Sequence, residues 1–159
     1  GWAGEWSVPT DQNTKLKDGY LYIDIKGQKE FLLTPQFQLE PVFYRANTMV
    51  RKTSGQIALG YGPLIYCLEE ADNGKNLHLL GANVDDAKQA QKIALPFINE
   101  HAIGFRMNGS RLIEEENASL YCNAKKEVSR KEEWLTWIPY FAWANREEGE
   151  MRVWISKRG

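Results

Sequence analysis

Apolar and polar residues alternate with a period of two along most of this chain, in short runs broken by turn formers, and this is the pattern of β-strands with one buried and one wet face. Tyr20 to Ile25 reads Tyr-Leu-Tyr-Ile-Asp-Ile, and Lys26-Gly27-Gln28-Lys29 predicts the turn after it. Glu30 to Thr34 resumes an apolar run that Pro35 ends, because proline cannot donate to a ladder. Phe37 and Leu39 alternate with Gln36, Gln38 and Glu40, and Val42 to Val50 is the next strand candidate. Ser54-Gly55 predicts a turn into Gln56 to Tyr61, which Gly62-Pro63 separates from Leu64 to Glu69. The second of these strands is almost continuously apolar, as expected of a central strand covered on both faces. Asp72-Asn73-Gly74 reads as a loop, since Asn and Gly tolerate positive φ.

Residues 82–99 fit strands least. Val84, Ala87, Ala90 and Ala94 could line one face of a short helix ended by Pro96, and a structured loop is the alternative. Strand pattern returns at Ala102 to Met107. Asn108-Gly109 predicts a hairpin turn, with Arg111 to Ile113 as its return arm. Ser119 to Cys122 is a further short candidate. Trp134 to Ala144 is the most apolar stretch, Asn145 to Glu150 is a polar turn, and the alternation of Met151, Val153 and Ile155 with Arg152, Trp154 and Ser156 completes an expected terminal hairpin. The pattern therefore predicts an all-β domain over residues 1–159. It is an antiparallel β-sandwich, jelly-roll-like, with at most one short helix; a barrel is the alternative.

Composition changes this picture at a few points. A length of 159 residues suits one domain with a real core. The 6 Trp, 7 Tyr and 6 Phe favour pleated surfaces and leave rings available for sugar faces or interfaces. Trp2, Trp6 and Trp134, near expected strand ends, are the candidates for sugar or interface contacts. A net charge of −1 offers no basic excess for phosphates, which argues against nucleic acid as a partner. No apolar run approaches the ~18 residues of a membrane span. Cys67 and Cys122 have apolar or aromatic neighbours and read as two buried free thiols, which favours a reducing, cytoplasmic setting. The opening Gly1-Trp2-Ala3-Gly4, without an initiator Met, reads as cut from a longer polypeptide.

Catalytic signatures are sought and not found. His78 and His101 lie in unrelated segments; His78, between Leu77 and Leu79, reads as an outward strand residue. No paired-cysteine or His-Glu-x-x-His motif supports zinc, and Gly60-Tyr61-Gly62-Pro63 lacks the Lys-Ser/Thr of a phosphate loop. Glu69, Glu70 and Asp72, like Asp85-Asp86, read as loop solvation rather than an acid–base pair, because consecutive strand residues point to opposite faces. Glu114 to Glu116 and the mixed-sign stretch Lys125 to Glu133 read as solvated surface. No catalytic, cofactor-binding or metal residue is assigned.

Two stretches carry a specific resemblance. Gly55-Gln56-Ile57-Ala58-Leu59-Gly60-Tyr61-Gly62-Pro63-Leu64-Ile65-Tyr66-Cys67-Leu68-Glu69 is similar to a "G-x-V-A-L-x-x-G-P-L-V-Y-C-x-E" segment of the glycoside hydrolase family 127 group. Ile138-Pro139-Tyr140-Phe141-Ala142-Trp143-Ala144-Asn145-Arg146, with Gly149, Met151, Val153 and Trp154, resembles the group's closing "I-P-Y-x-x-W-x-N-R-x-x-G-x-M-x-V-W". Gly1-Trp2-Ala3 is similar to the end of its "R-I-P-G-W" segment. The resemblance implies a C-terminal β-sandwich region of a retaining β-L-arabinofuranosidase-like enzyme. In that family a zinc-held cysteine thiolate and two glutamates act in an (α/α)6 barrel, which this chain lacks. The expected role here is non-catalytic support of that barrel, its partner in the same polypeptide, and of homodimer formation. Plant-type arabinose-containing glycans would be the parent's substrates, and a carbohydrate-binding module is the alternative. The motif residues themselves read as structural: Gly62-Pro63 a bend, Tyr66, Leu68, Tyr140, Trp143 and Trp154 core, and Arg146 a polar-turn residue bonding carbonyls or pairing with an acid.

Overall fold

The computed structural model describes residues 6–7, 14–114, 119–125, 127–146 and 148–158. The chain divides into two compact units, Gly1–Leu39 and Glu40–Gly159. The first holds β1 (Trp6–Ser7), β2 (Thr14–Lys17), β3 (Tyr20–Ile23) and β4 (Gln36–Phe37). β1 pairs with β4 and β2 with β3, both antiparallel. Asp18 and Gly19, both at positive φ, make the tight turn between β2 and β3. The register sets Leu16 opposite Leu21, and Tyr20 and Tyr22 opposite Lys17 and Lys15, which gives the hairpin one apolar and one mixed face. The apolar run from Glu30 to Thr34 forms no strand.

The second unit contains β5 (Pro41–Arg45), β6 (Gln56–Tyr61), β7 (Leu64–Glu69), the four-residue α1 (Glu70–Asn73), β8 (Leu80–Ala82), β9 (Gln91–Ala94), β10 (Ile103–Ile113), β11 (Ser129–Pro139), β12 (Met151–Arg152) and β13 (Ile155–Lys157). These nine strands form one sheet in the order β12-β7-β11-β10-β8-β13-β6-β5, with β9 also on β10. Every pairing is antiparallel except β8 with β13. β6 pairs with β7 as well as with β13, so the sheet wraps round and closes along that seam. The result is all-β and sandwich-like, as the alternation predicts.

The core lies between the layers. Phe43 of β5 meets Trp137 of β11 edge to face at 5.7 Å, and Phe105 of β10 receives Tyr61 and Tyr66 the same way at 5.1 and 5.2 Å. Ile57, Leu59, Leu68, Leu77, Leu80, Met107, Leu135 and Ile155 complete it. A second cluster lies on the other side of β7 and β11, where Cys67 and Ile138 pack with Leu95 and Ala142. The two strands are therefore covered on both faces where they pair, at Tyr66–Cys67 and Ile138–Pro139, which accounts for the buried second half of β7. Gly62, at φ 56, turns β6 into β7 ahead of Pro63.

Four local expectations fail for physical reasons. Asn108-Gly109 is not a turn: β10 runs straight through it, paired with β11 from Phe105 to Ile113. Gly109 is needed there because a Cβ would overlap Leu135 Cδ1 and lie 2.5 Å from its Cγ. Ser119 to Cys122 is not a strand; it lies beyond the last rung, Ile113 opposite Ser129, where no ladder partner remains. The 82–99 stretch is neither one helix nor one loop, but the end of β8, a 3-10 turn at Val84–Gln89 and then β9. The terminal hairpin does not form either. β12 pairs with β7 while β13 inserts between β6 and β8, because Val153 and Trp154 carry the chain from one position in the sheet to the other.

Candidate functional site

The densest convergence of charged groups among the described residues sits where β7 ends. Glu69 closes β7, and α1 starts on the next residue, which brings Asp72 round beside it. The chain returns through a 3-10 turn at Tyr140–Ala142 and delivers Arg146 to both carboxylates. Arg146 Nη2 donates to Glu69 Oε2 and Asp72 Oδ2, and Nη1 donates to Asp72 Oδ1 at 3.0 Å. The Ala144 N–H donates to Glu69 Oε1 at 3.0 Å. On its other side the guanidinium carbon lies 4.4 Å from the Phe97 ring centroid. The hydrogen bonds to Asp72, and then to Glu69, raise the Arg146 pKa further, so it stays charged.

This arrangement is structural chemistry. All four carboxylate oxygens of Glu69 and Asp72 accept a hydrogen bond from Arg146 or Ala144. Both acids are thereby tied to the turn that carries Ala144 and Arg146. Next to it, Asn73 Nδ2 donates to the carbonyls of Glu69 at 3.0 Å and Thr136 at 2.9 Å, and its Oδ1 accepts the Thr136 N–H at 2.8 Å. Arg111 donates to Glu133 and to the carbonyls of Asn73, Lys75 and Asn76, which fixes the loop after α1. The expectation that Arg146 pairs with an acid holds. The expectation that Glu69 and Asp72 merely solvate a loop does not, since the Glu69 side chain is only 8% exposed and held by the ion pair.

The other candidates stand apart from this cluster. Cys67 is fully buried, and burial, reinforced by the nearby Glu69 charge, pushes its thiol up to about 12, so it stays protonated and unreactive. Cys122 is free as well but exposed, which corrects the expectation of two buried thiols. His78 faces outward from a 3-10 turn, not from a strand, and His101 lies on the surface 3.3 Å from Glu100. Asp86 caps the turn at Val84–Gln89 in a reciprocal bond with Asn83, and Asp85 pairs with Lys88 at 2.8 Å. The described residues include no group of three or more His, Cys, Asp or Glu placed to share a metal ion.

Of the three tryptophans singled out in the sequence, Trp2 and the side chain of Trp6 lie outside the described residues. Trp134 stands on the outer face of β11, 47% exposed, opposite Asn108, with the Arg106 guanidinium 5.6 Å from its ring centroid. Tyr66 and Leu68 are core, Trp154 is half-buried, and Tyr140 and Trp143 are exposed rather than core. Strand periodicity could not show this, because both sit at the ends of a 3-10 turn that breaks the period. No helix among the described residues is long and apolar enough to cross a membrane.

The geometry defines a class: a small all-β domain whose most tightly bonded charged cluster, Arg146 with Glu69 and Asp72, holds one of its own turns. Residues 41–156 match the glycoside hydrolase family 127 C-terminal domain, and the chain belongs to that family. It is 33% identical over 151 residues to a non-reducing end β-L-arabinofuranosidase of Bifidobacterium longum subsp. longum, an alignment covering 87% of this chain and 21% of the relative. A crystal structure of a family 127 β-L-arabinofuranosidase from Geobacillus stearothermophilus T6 superposes with a TM-score of 0.71 at 27% identity, over 99% of this chain and 25% of that one. A further family 127 β-arabinofuranosidase structure gives 0.68 at 25% identity, over 96% of this chain and 23% of that one. The chain thus spans between a fifth and a quarter of the length of these relatives.

Proposed function

We propose that the chain is a non-catalytic domain of a longer β-L-arabinofuranosidase-like glycoside hydrolase, buttressing a catalytic barrel that lies elsewhere in the same polypeptide. The observation that carries this is the engagement of Glu69 and Asp72 by Arg146 and Ala144, which ties the most tightly bonded acids among the described residues to the turn they brace. Its family membership and its partial span of the relatives support the same reading. The barrel would supply the zinc-held thiolate and the acid/base glutamate, acting on arabinose-containing glycans, and homodimerisation is a second supporting role. Two unpaired cysteines are in keeping with a reducing compartment such as the cytoplasm.

The test is a deletion. The full-length polypeptide and a form lacking this domain are compared for thermal midpoint and for hydrolysis of a nitrophenyl β-L-arabinofuranoside. A lowered midpoint and lost activity are expected. An unchanged midpoint with full activity contradicts a buttressing role.

Trp134 alone favours a second reading, carbohydrate binding, because an exposed indole flanked by Asn108 and Arg106 offers a ring face beside hydrogen-bonding groups. Tryptophan fluorescence titrated with arabinose-containing oligosaccharides checks it; an unchanged spectrum at millimolar sugar removes this reading.

A further inference from the structure

Four large exposed rings lie on two loops of the second unit that meet each other. Tyr140, Phe141 and Trp143 sit on the 3-10 turn after β11 and on the residue that ends it, and Phe97 lies on the loop after β9; they are 47, 57, 42 and 43% exposed. The two loops are held together beneath these rings. Ala142 and Ile98 pack into the same apolar cluster as Cys67 and Ile138, and Arg146 lies against Phe97 while bonded to Glu69 and Asp72. The Ala144 N–H and the Asn145 amide fix the turn to Glu69 and to the Ala142 carbonyl. The rings are therefore presented from a braced surface rather than from a floppy loop. Pre-organised aromatics surrounded by polar groups are what a stable interface uses as anchors, because little ordering entropy remains to be lost on contact.

We propose that Phe97, Tyr140, Phe141 and Trp143 form the face on which the rest of the parent polypeptide docks, and this rests on the buttressing reading above. Three quarters of the length of the structural relative lies outside the part this chain matches, so an occupant of the same polypeptide is at hand. Charge narrows its chemistry. Trp143 shares a narrow notch with Glu69, Glu70, Glu148 and Glu150, whereas Arg146 at the patch is already neutralised by its two acids. The occupant is therefore an apolar surface bordered by lysine or arginine, with one cation seated beside the Trp143 indole. The Arg146–Glu69–Asp72 cluster gains a purpose: it holds the turn in its docking shape and leaves the outer glutamates to meet the partner.

Hydroxyl-radical footprinting of side chains tests this in the full-length polypeptide and in the 159-residue chain, each at two concentrations. In the full-length protein, oxidation at Phe97, Tyr140, Phe141 and Trp143 is expected to fall severalfold relative to the shorter chain, while Trp134, equally exposed, keeps its rate. Equal rates at the four rings, with protection at other positions, overturn this surface and leave the buttressing reading standing. Protection at no position overturns both. Protection of the four rings in the shorter chain that grows with concentration assigns the face to a second copy and overturns the proposal. Protection that is lost in 1 M salt (Debye length about 3 Å) supports the basic border.

Discussion

Replacing Arg146 by Met strands the Glu69 carboxylate, which is 8% exposed and has no other cation bonded to it among the described contacts. Leaving one member of such a pair alone is expected to lower stability by about 3 kcal/mol, read as a shift in the urea midpoint. Arg146→Lys should recover only part of this, because an ammonium cannot span Glu69 and both oxygens of Asp72 as the guanidinium fork does. Cys67 and Tyr66 set the alkaline limit. Burial raises Cys67 from 9.0 and Tyr66 from 10.0, each to about 12 in the fold. The unfolded chain therefore releases these protons first. Stability is intact below pH 9 and declines between about 9 and 12, with Cys67→Ala flattening the decline in urea titrations run at successive pH values. At this scale the sequence left Arg146 either bonding carbonyls or pairing with an acid, and could not name the partners, because Asp72 and Glu69 lie more than seventy residues away along the chain.

The long β10–β11 pair is the element on which the rest is built, and its middle is where local sequence signals mislead. Asn-Gly favours a tight turn when nothing else acts on it, yet here tertiary packing overrides it: Gly109 sits in the ladder because Leu135 fills the space above it. Gly109→Ala should therefore cost about 1–3 kcal/mol by overpacking against a fully buried side chain. In combination with Leu135→Ala, which vacates that space, the added cost of the alanine should fall, leaving only the tight 3.1 Å approach to the Gly81 carbonyl, and a double-mutant cycle in urea measures the difference. If the two substitutions were additive, the steric account of Gly109 would be wrong. Strands with strong alternation or unbroken apolar runs, such as β6 and β7, are legible from sequence. Those of two or three residues, such as β12 and β13, are not, because partners from distant segments define them.

At the scale of the whole molecule, the second unit coincides with the matched family domain, residues 41–156, and its sheet closes through β6 and β7 around an aromatic core. The all-β class was legible from period-two alternation. The exposed aromatic end was not legible, because burial of a ring depends on what packs over it and the motif alone reads equally well as core. The proposed buttressing role requires that these 159 residues hydrolyse no arabinofuranoside on their own. Its most direct test is to incubate the purified chain with a nitrophenyl β-L-arabinofuranoside, with zinc and a thiol reductant present, and follow nitrophenol release against a buffer blank. The predicted result is a rate equal to the blank. Turnover that scales with the concentration of this chain would contradict it.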